Sequence, residues 1–151
     1  MRQLVYYVAT TVDGFIASQD GSFDCFLSEG DHFAALARFY PETFPSHMRE
    51  ALGATGDNQR FDTVLMGRST YAVGADHGLT NPYSTLRQYV ISRSMAASPD
   101  PAVTLVKDDP VALVRSLKRE PGRDIWLCGG GQLAASLSGE IDQLILKVNP
   151  V

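Results

Sequence analysis

Short apolar segments alternate with helical patterns through the second half of the chain, and this alternation limits the fold more than any other feature. Six segments have the length and the β-branched, apolar composition of buried strands: residues 3–10, 63–66, 87–92, 103–106, 125–128 and 143–148. Asp109 and Pro110 form a typical helix start before the apolar stripe of Val111, Val114 and Leu117. The alternation predicts an α/β domain with a largely parallel sheet.

The segment between the first two predicted strands has a different pattern. Residues 33–40 have helical spacing, and residues 48–52 predict a second short helix that ends at Gly53. The segment is rich in phenylalanine and tyrosine. These aromatic side chains line a substrate pocket, belong to the core or form a dimer contact, and the sequence leaves the three alternatives open.

Composition excludes several classes of protein. The 151 residues include 13 Lys and Arg against 17 Asp and Glu, so the net charge of −4 argues against a broad nucleic-acid or anionic-lipid footprint. The apolar run of residues 4–9 is shorter than the roughly 18 residues of a membrane span. Cys25 and Cys128 form no disulfide framework or metal motif. We expect a single cytoplasmic domain over residues 1–151, without metal, membrane or nucleic acid.

The chain stops at Val151, directly after the last apolar strand. A strand in that position leaves an apolar sheet edge uncovered. We therefore expect the native chain to extend past Val151.

Small and polar residues follow four of the predicted strands. The clusters are residues 10–14 (TTVDG), 67–70 (GRST), 92–94 (SRS) and 129–133 (GGGQL). Because ligands of open α/β sheets bind outside the carboxyl ends of the strands, the four clusters are predicted to line one crevice.

Each cluster also has a purely structural interpretation. The three glycines from Gly129 either let backbone amides approach a phosphate or form a tight turn with positive φ. Ser69 or Thr70 either caps a helix or joins Arg68 in holding a diphosphate. Arg93 binds a phosphomonoester or is an ordinary exposed side chain.

Five segments in a fixed order are more specific than any single motif: Val8–Ala17, Val64–Tyr71, Val90–Ser94, Ile125–Leu133 and Ile141–Pro150. This ordered set resembles the dihydrofolate reductase-like superfamily, and within it the branch of the C-terminal reductase domain of the riboflavin-biosynthesis deaminase–reductase. The resemblance implies a three-layer α/β/α fold with a mostly parallel central sheet. It also implies a C-terminal hairpin after Pro150, which this sequence lacks.

The resemblance further implies a homodimer that uses NADPH to reduce a small heterocycle or a ribosylamino-pyrimidine, such as 5-amino-6-(5-phosphoribosylamino)uracil. By the same resemblance, the main chain of Ala9 holds the nicotinamide carboxamide. The diphosphate side is bound by Gly67, Arg68, Ser69 and Thr70, and the adenosine 2′-phosphate is bound by Ser92, Arg93 and Ser94. The diphosphate and the nicotinamide ribose are also contacted by Gly129, Gly130, Gly131, Gln132 and Leu133. Asp13 matches the Asp-Gly position near the substrate and is the candidate proton donor, with a bound water as the alternative.

Two other functions stay open at this point. One is a non-catalytic NADPH-binding sensor or accessory protein of the same fold. The other is an interaction domain in which the glycine clusters are only turns. Residues 24–60 are longer than this branch leads us to expect, and they either close over the substrate or mediate dimerisation.

Overall fold

A sheet of six strands forms the centre of the protein in a computed structural model that describes residues 1–151. The strands are β1 (Leu4–Thr10), β2 (Phe61–Gly67), β3 (Arg87–Ile91), β4 (Val103–Val106), β5 (Asp124–Gly129) and β6 (Gln143–Val148). Their order across the sheet is β4-β3-β2-β5-β1-β6, and every neighbouring pair is parallel. All six carboxyl ends therefore lie along one edge.

Helices cover both faces of this sheet. The helices are α1 (His32–Phe39), α2 (Arg68–Ala75), α3 (Pro110–Arg119) and α4 (Gly131–Ser136), with short 3-10 helices at Pro41–Thr43 and Ser138–Glu140. Leu4 and Leu65 point toward α3 and α4, whereas their neighbours Val5 and Val64 point to the opposite face, where Tyr71 of α2 packs. This period-two alternation places one apolar core on each side, so the predicted three-layer α/β/α architecture is confirmed.

The strands and most helices form where the sequence predicts them. All six predicted strands are present with ends within two residues, and Asp109 caps α3 by accepting a hydrogen bond from the Ala112 amide at 2.9 Å. The helix predicted over residues 48–52 is wrong, because that segment is a series of turns. Its single helical bond, from Leu52 to Met48, is not continued: the Ala54 amide donates back to the Arg49 carbonyl and Gly53 has a φ of +68°.

Strand β6 forms one edge of the sheet and has no covering layer on one face. Leu144, Leu146 and Val148 alternate along this strand and are 56%, 47% and 60% exposed. The predicted uncovered apolar edge is therefore present.

Candidate functional site

The clusters that follow strands β2, β3 and β5 meet at the carboxyl edge of the sheet. They surround a cavity of about 620 Å³, which we call the edge cavity. Its lining includes ten of the predicted cofactor-binding residues: Gly67, Arg68, Ser69, Ser92, Arg93, Ser94, Gly130, Gly131, Gln132 and Leu133. The other four lining residues are Ile91, Lys107, Pro110 and Ser136. The parallel topology thus gathers segments that are far apart in the sequence into one site.

The edge cavity is basic although the chain as a whole is acidic. Arg68, Arg93 and Lys107 line it, and no Asp or Glu does. None of these three cations lies within salt-bridge distance of a carboxylate anywhere in the chain. Three unpaired cations around one concave surface favour a ligand that carries several negative charges.

Hydroxyl groups join two of the strand ends inside the cavity. The Arg68 guanidinium donates a hydrogen bond to the Ser94 hydroxyl at 3.1 Å, and the hydroxyls of Ser94 and Ser92 are 3.3 Å apart. Ser92 is buried and its hydroxyl also accepts a hydrogen bond from the Met95 amide at 3.2 Å. This chain of contacts holds the start of α2 against the segment after β3.

Helix α2 begins without a side-chain cap. Its N-cap residue is Gly67, so the structural interpretation of Ser69 or Thr70 as the N-cap is wrong. The first amides of α2 therefore have no side-chain acceptor, and the hydroxyl of Ser69 faces the edge cavity without a hydrogen bond in the chain. Amides at a helix start that lack a cap favour an anionic ligand.

The turn after β5 lies directly beside Gly67. A Cβ built on Gly67 would be 3.4 Å from the Gly130 nitrogen, and the Thr70 Oγ1 is 3.7 Å from the position of a Cβ on Gly130. The two strand-to-helix turns therefore share one wall, with Thr70 and Gly129 just behind the cavity surface.

Only one glycine of the triplet has a backbone conformation that requires glycine. Gly129 has a φ of +129°, whereas Gly130 has a φ of −82° and Gly131 is the first residue of α4; the Gly129–Gly130 peptide bond is cis. The tight-turn interpretation thus accounts for Gly129. It does not account for Gly131, whose Cβ would meet only Ile16, at an ordinary 3.5 Å.

Ala9 lies at a gap in the sheet. Strand β1 pairs with β5 only from Leu4 to Tyr6, but with β6 it continues pairing as far as Thr10. On the β5 side, the main chain of residues 8–10 therefore has no strand partner. This arrangement leaves the backbone around Ala9 open where the glycine turn begins.

Asp13 lies apart from these residues. It is exposed in the loop after β1, its carboxylate accepts a hydrogen bond from the Thr11 hydroxyl at 2.6 Å, and it does not line the edge cavity. Its role as proton donor stays a prediction.

Sequence reasoning missed Lys107. This residue directly follows β4 and provides the third cation of the edge cavity. The rule that selected the other clusters applies to it equally, because β4 is a parallel strand whose carboxyl end lies on the same edge. Ser136 and Pro110 had no comparable signal, since helix packing places them there.

Two further findings concern metal ions and membranes. No three His, Cys, Asp or Glu side chains are grouped so that they would hold a metal ion. None of the helices has the length and apolar character needed to cross a membrane.

The protein is a parallel α/β/α sandwich with a basic, glycine-lined cavity at its carboxyl edge, and its fold is that of the dihydrofolate reductase-like proteins. The chain belongs to the RibD C-terminal domain family, which it matches over residues 2–151. The resemblance predicted from the ordered motifs is therefore confirmed.

The chain is also similar to individual proteins over nearly its whole length. The uncharacterized protein YwjB of Bacillus subtilis (strain 168) is 34% identical, over 99% of this chain and 78% of its own length. The uncharacterized protein YyaP of the same organism is 25% identical, over 99% of this chain and 76% of its own length. The crystal structure of the "putative riboflavin biosynthesis protein" from Shewanella sp. PV-4 has a TM-score of 0.65 at 24% identity and covers 100% of this chain and 78% of that one. The last comparison shows a shared fold.

Proposed function

We propose that the chain is an NADPH-dependent reductase that transfers a hydride to a small heterocyclic acceptor. The observation that carries this proposal is the edge cavity, in which three cations without carboxylate partners meet two glycine turns and several hydroxyls. A phosphorylated dinucleotide has the multiple negative charges that such a surface favours. Membership of the RibD C-terminal domain family supports the same cofactor.

The donors of the edge cavity fit the parts of NADPH. Arg68, Ser69 and the uncapped amides of α2 would bind the diphosphate, with Gly130 and Gly131 on the opposite wall. Ser92, Arg93 and Ser94 would bind the adenosine 2′-phosphate, and Lys107 adds a cation that the sequence prediction did not include. A guanidinium and hydroxyls match a phosphate monoester, which needs several donors at once.

The chain's own residues would position the nicotinamide and exclude water from the reacting atoms. NADPH supplies the hydride when bound, and the protein provides position and exclusion of water. The unpaired main chain around Ala9 would hold the carboxamide at the gap between β1 and β5. Ile16, in the loop after β1, lies against Gly131 and would limit solvent there. The product atom needs a proton, for which Asp13 or a bound water remains the candidate.

Titration of both nicotinamide cofactors tests this proposal. We expect wild-type protein to bind NADPH more tightly than NADH, and Arg93→Ala to reduce NADPH affinity by roughly ten- to a hundredfold with little effect on NADH. Arg119→Ala is a matched control, because Arg119 is exposed and forms no salt bridge. Equal NADPH affinity in wild type and Arg93→Ala would remove Arg93 from the 2′-phosphate site, and absence of NADPH binding to wild type would reject the reductase.

One observation favours a second candidate, a non-catalytic NADPH-binding protein of the same fold. No carboxylate lines the edge cavity, and Asp13 is exposed outside it. This candidate predicts NADPH binding without oxidation of NADPH in the presence of heterocyclic acceptors. We propose in addition that the protein is a homodimer and that it is located in the cytoplasm.

A further inference from the structure

A second recess lies on one face of the sheet, between β6, β1 and α1. Its volume is about 430 Å³, and eight of its twelve lining residues are hydrophobic. Tyr7, Tyr40 and Lys147 line it, and none of its residues lines the edge cavity. A smaller cavity of about 200 Å³ shares Tyr7, Leu36 and Lys147 with it. We call the two together the face recess; its size suits a small ligand.

Lys147 is the only lysine or arginine that lines the face recess, and it has no anionic partner. It is half-buried, forms no salt bridge and donates no side-chain hydrogen bond. Its ammonium nitrogen lies 4.5 Å from the centroid of the Tyr7 ring. Burial lowers the pKa of Lys147, and the neighbouring Cys128 opposes this effect. A desolvated cation without a counter-charge destabilises the folded chain unless something else compensates it.

Tyr7 provides an aromatic wall of the recess. It is 2% exposed, and its ring stacks on Tyr40, with the centroids 4.7 Å apart. Its hydroxyl is buried beneath the surface of the recess, where burial raises the pKa of Tyr7 and the nearby Thr43 opposes this effect. Tyr7 therefore presents its ring, rather than a hydrogen-bond donor, to a ligand.

The lining also restricts the ligand. Asp and Glu are absent from both parts of the face recess, and its one charged side chain is a cation, so the lining favours an anionic ligand over a cationic one. A phosphate ester requires several free donors, yet Lys147 is the one cation of the recess, and the Thr43 hydroxyl and the Asn149 amide already donate to main-chain carbonyls. Stacked aromatic rings and apolar walls favour a flat ligand.

We propose that the face recess binds a flat heterocycle that carries one ionised oxygen substituent, and that Lys147 is the residue that pairs with this oxygen. The inference rests on the proposed reductase function, for which the recess is the acceptor site. It narrows the acceptor to an unphosphorylated, singly charged heterocycle. Lys147 thereby acts as a specificity-determining residue that compensates the ligand's charge.

Two pyrimidines provide the test. Barbiturate is flat and anionic at pH 7, and uracil is its neutral analogue. Without NADPH, we expect wild-type protein to bind barbiturate at least about tenfold more tightly than uracil, as measured by NMR titration of ¹⁵N-labelled protein. The amide shifts are expected at residues of the face recess, such as Tyr40 and Ile145, rather than at Ser92 and Gly131.

Substitution of the cation separates a ligand role from a structural one. Lys147→Met is expected to abolish the preference for barbiturate without lowering the melting temperature. It keeps the apolar stem of the side chain and removes a half-buried charge that has no carboxylate partner and is compensated only by the Tyr7 ring. Arg119→Met, which removes an exposed cation elsewhere, is expected to leave the preference unchanged. If Lys147→Met melts below wild type, the lysine is needed for folding and the proposal is wrong.

The outcomes distinguish this inference from the proposed function. If wild type binds the two pyrimidines equally tightly, or if the amide shifts lie outside the recess, the inference is rejected. The cofactor proposal is tested separately, and it stands in that case as long as the protein binds NADPH. Failure of NADPH to bind, with barbiturate shifts confined to the recess, would reject the reductase and leave the recess as a ligand site.

Discussion

The guanidinium of Arg68 donates a hydrogen bond to the hydroxyl of Ser94 at 3.1 Å and so connects the ends of two neighbouring strands. Arg68 begins α2 after β2, and Ser94 follows β3. Both residues line the edge cavity, and Arg68 has no carboxylate partner. The contact therefore positions a cation for a ligand without neutralising it.

This contact predicts energetic coupling in cofactor binding. Arg68→Ala is expected to weaken NADPH binding by roughly ten- to a hundredfold, and Ser94→Ala by roughly two- to tenfold. Because Ser94 orients Arg68, the double variant should lose less than the product of the two factors. Isothermal titration calorimetry measures the cycle, with Ser116→Ala, an exposed hydroxyl on α3, as control. Strict multiplicativity would show that Ser94 does not act through Arg68.

The site was predictable from sequence to the extent that it depends on strand ends. Parallel strands place their carboxyl ends on one edge, so clusters such as Arg68 and Arg93 were found without knowledge of the strand order. Lys107 obeys the same rule but stands alone among acidic neighbours in the sequence. The sequence signalled one wall of the face recess, because the aromatic segment that could line a substrate pocket contributes Tyr40. It gave no signal for Lys147, because Tyr7 and Lys147 are 140 positions apart and meet only through the pairing of β1 with β6.

Glu42 provides a prediction about stability. Its carboxylate is 1% exposed and accepts hydrogen bonds from the amides of Gln59, Arg60 and Phe61 at 3.2, 2.7 and 2.6 Å. Glu42→Gln places a buried NH2 group beside these donors and is expected to reduce the free energy of unfolding by about 1–3 kcal/mol. Urea denaturation measures the change.

The exposed Glu50 provides the control for this substitution. Glu50→Gln is expected to change the free energy of unfolding by less than about 0.5 kcal/mol. Similar unfolding midpoints for Glu42→Gln and Glu50→Gln would mean that the three amides find other acceptors.

Sequence patterns do not predict contacts of this type. Glu42 lies in an aromatic segment and its partners are 17 to 19 positions away. Arg2 is similar: its buried guanidinium donates to Asp62 and to the Thr63 hydroxyl at 2.7 Å, which joins the start of the chain to β2. Buried charged side chains are held by tertiary partners rather than by local periodicity, and the sequence shows only an ordinary charge at each position.

The two cysteines are expected to differ in reactivity. Burial raises the pKa of Cys128 to about 11, whereas Cys25 is exposed. At pH 8 about one Cys128 thiol in a thousand is ionised, so a thiol reagent such as DTNB should react rapidly with one cysteine and slowly with the other. Cys25→Ser should remove the fast phase. Between pH 8 and 10 the slow rate should rise roughly tenfold per pH unit, because the ionised fraction of the Cys128 thiol rises tenfold per pH unit below its pKa. A slow phase that does not depend on pH would show that local opening of the structure limits the reaction.

The glycine triplet allows the turn and ligand interpretations to be separated. At Gly129, with a φ of +129°, an alanine is strained, and Gly129→Ala is expected to lower stability by about 1–3 kcal/mol. Gly131 begins α4 and has room for a Cβ, so Gly131→Ala should leave the melting temperature unchanged or raise it. Gly131 nevertheless lines the edge cavity, where the added methyl group would prevent close approach of a diphosphate to the backbone.

Because Gly131→Ala is expected to keep its stability, its NADPH affinity separates the two interpretations of the glycine triplet. Gly131→Ala should bind NADPH at least about tenfold more weakly than wild type, since a one-ångström displacement of the diphosphate disrupts several charge-assisted hydrogen bonds. Gly139→Ala, at a position with open space around it, controls for the substitution itself. If Gly131→Ala binds NADPH as tightly as Gly139→Ala does, the backbone of the turn does not contact the cofactor and the triplet serves only to reverse the chain.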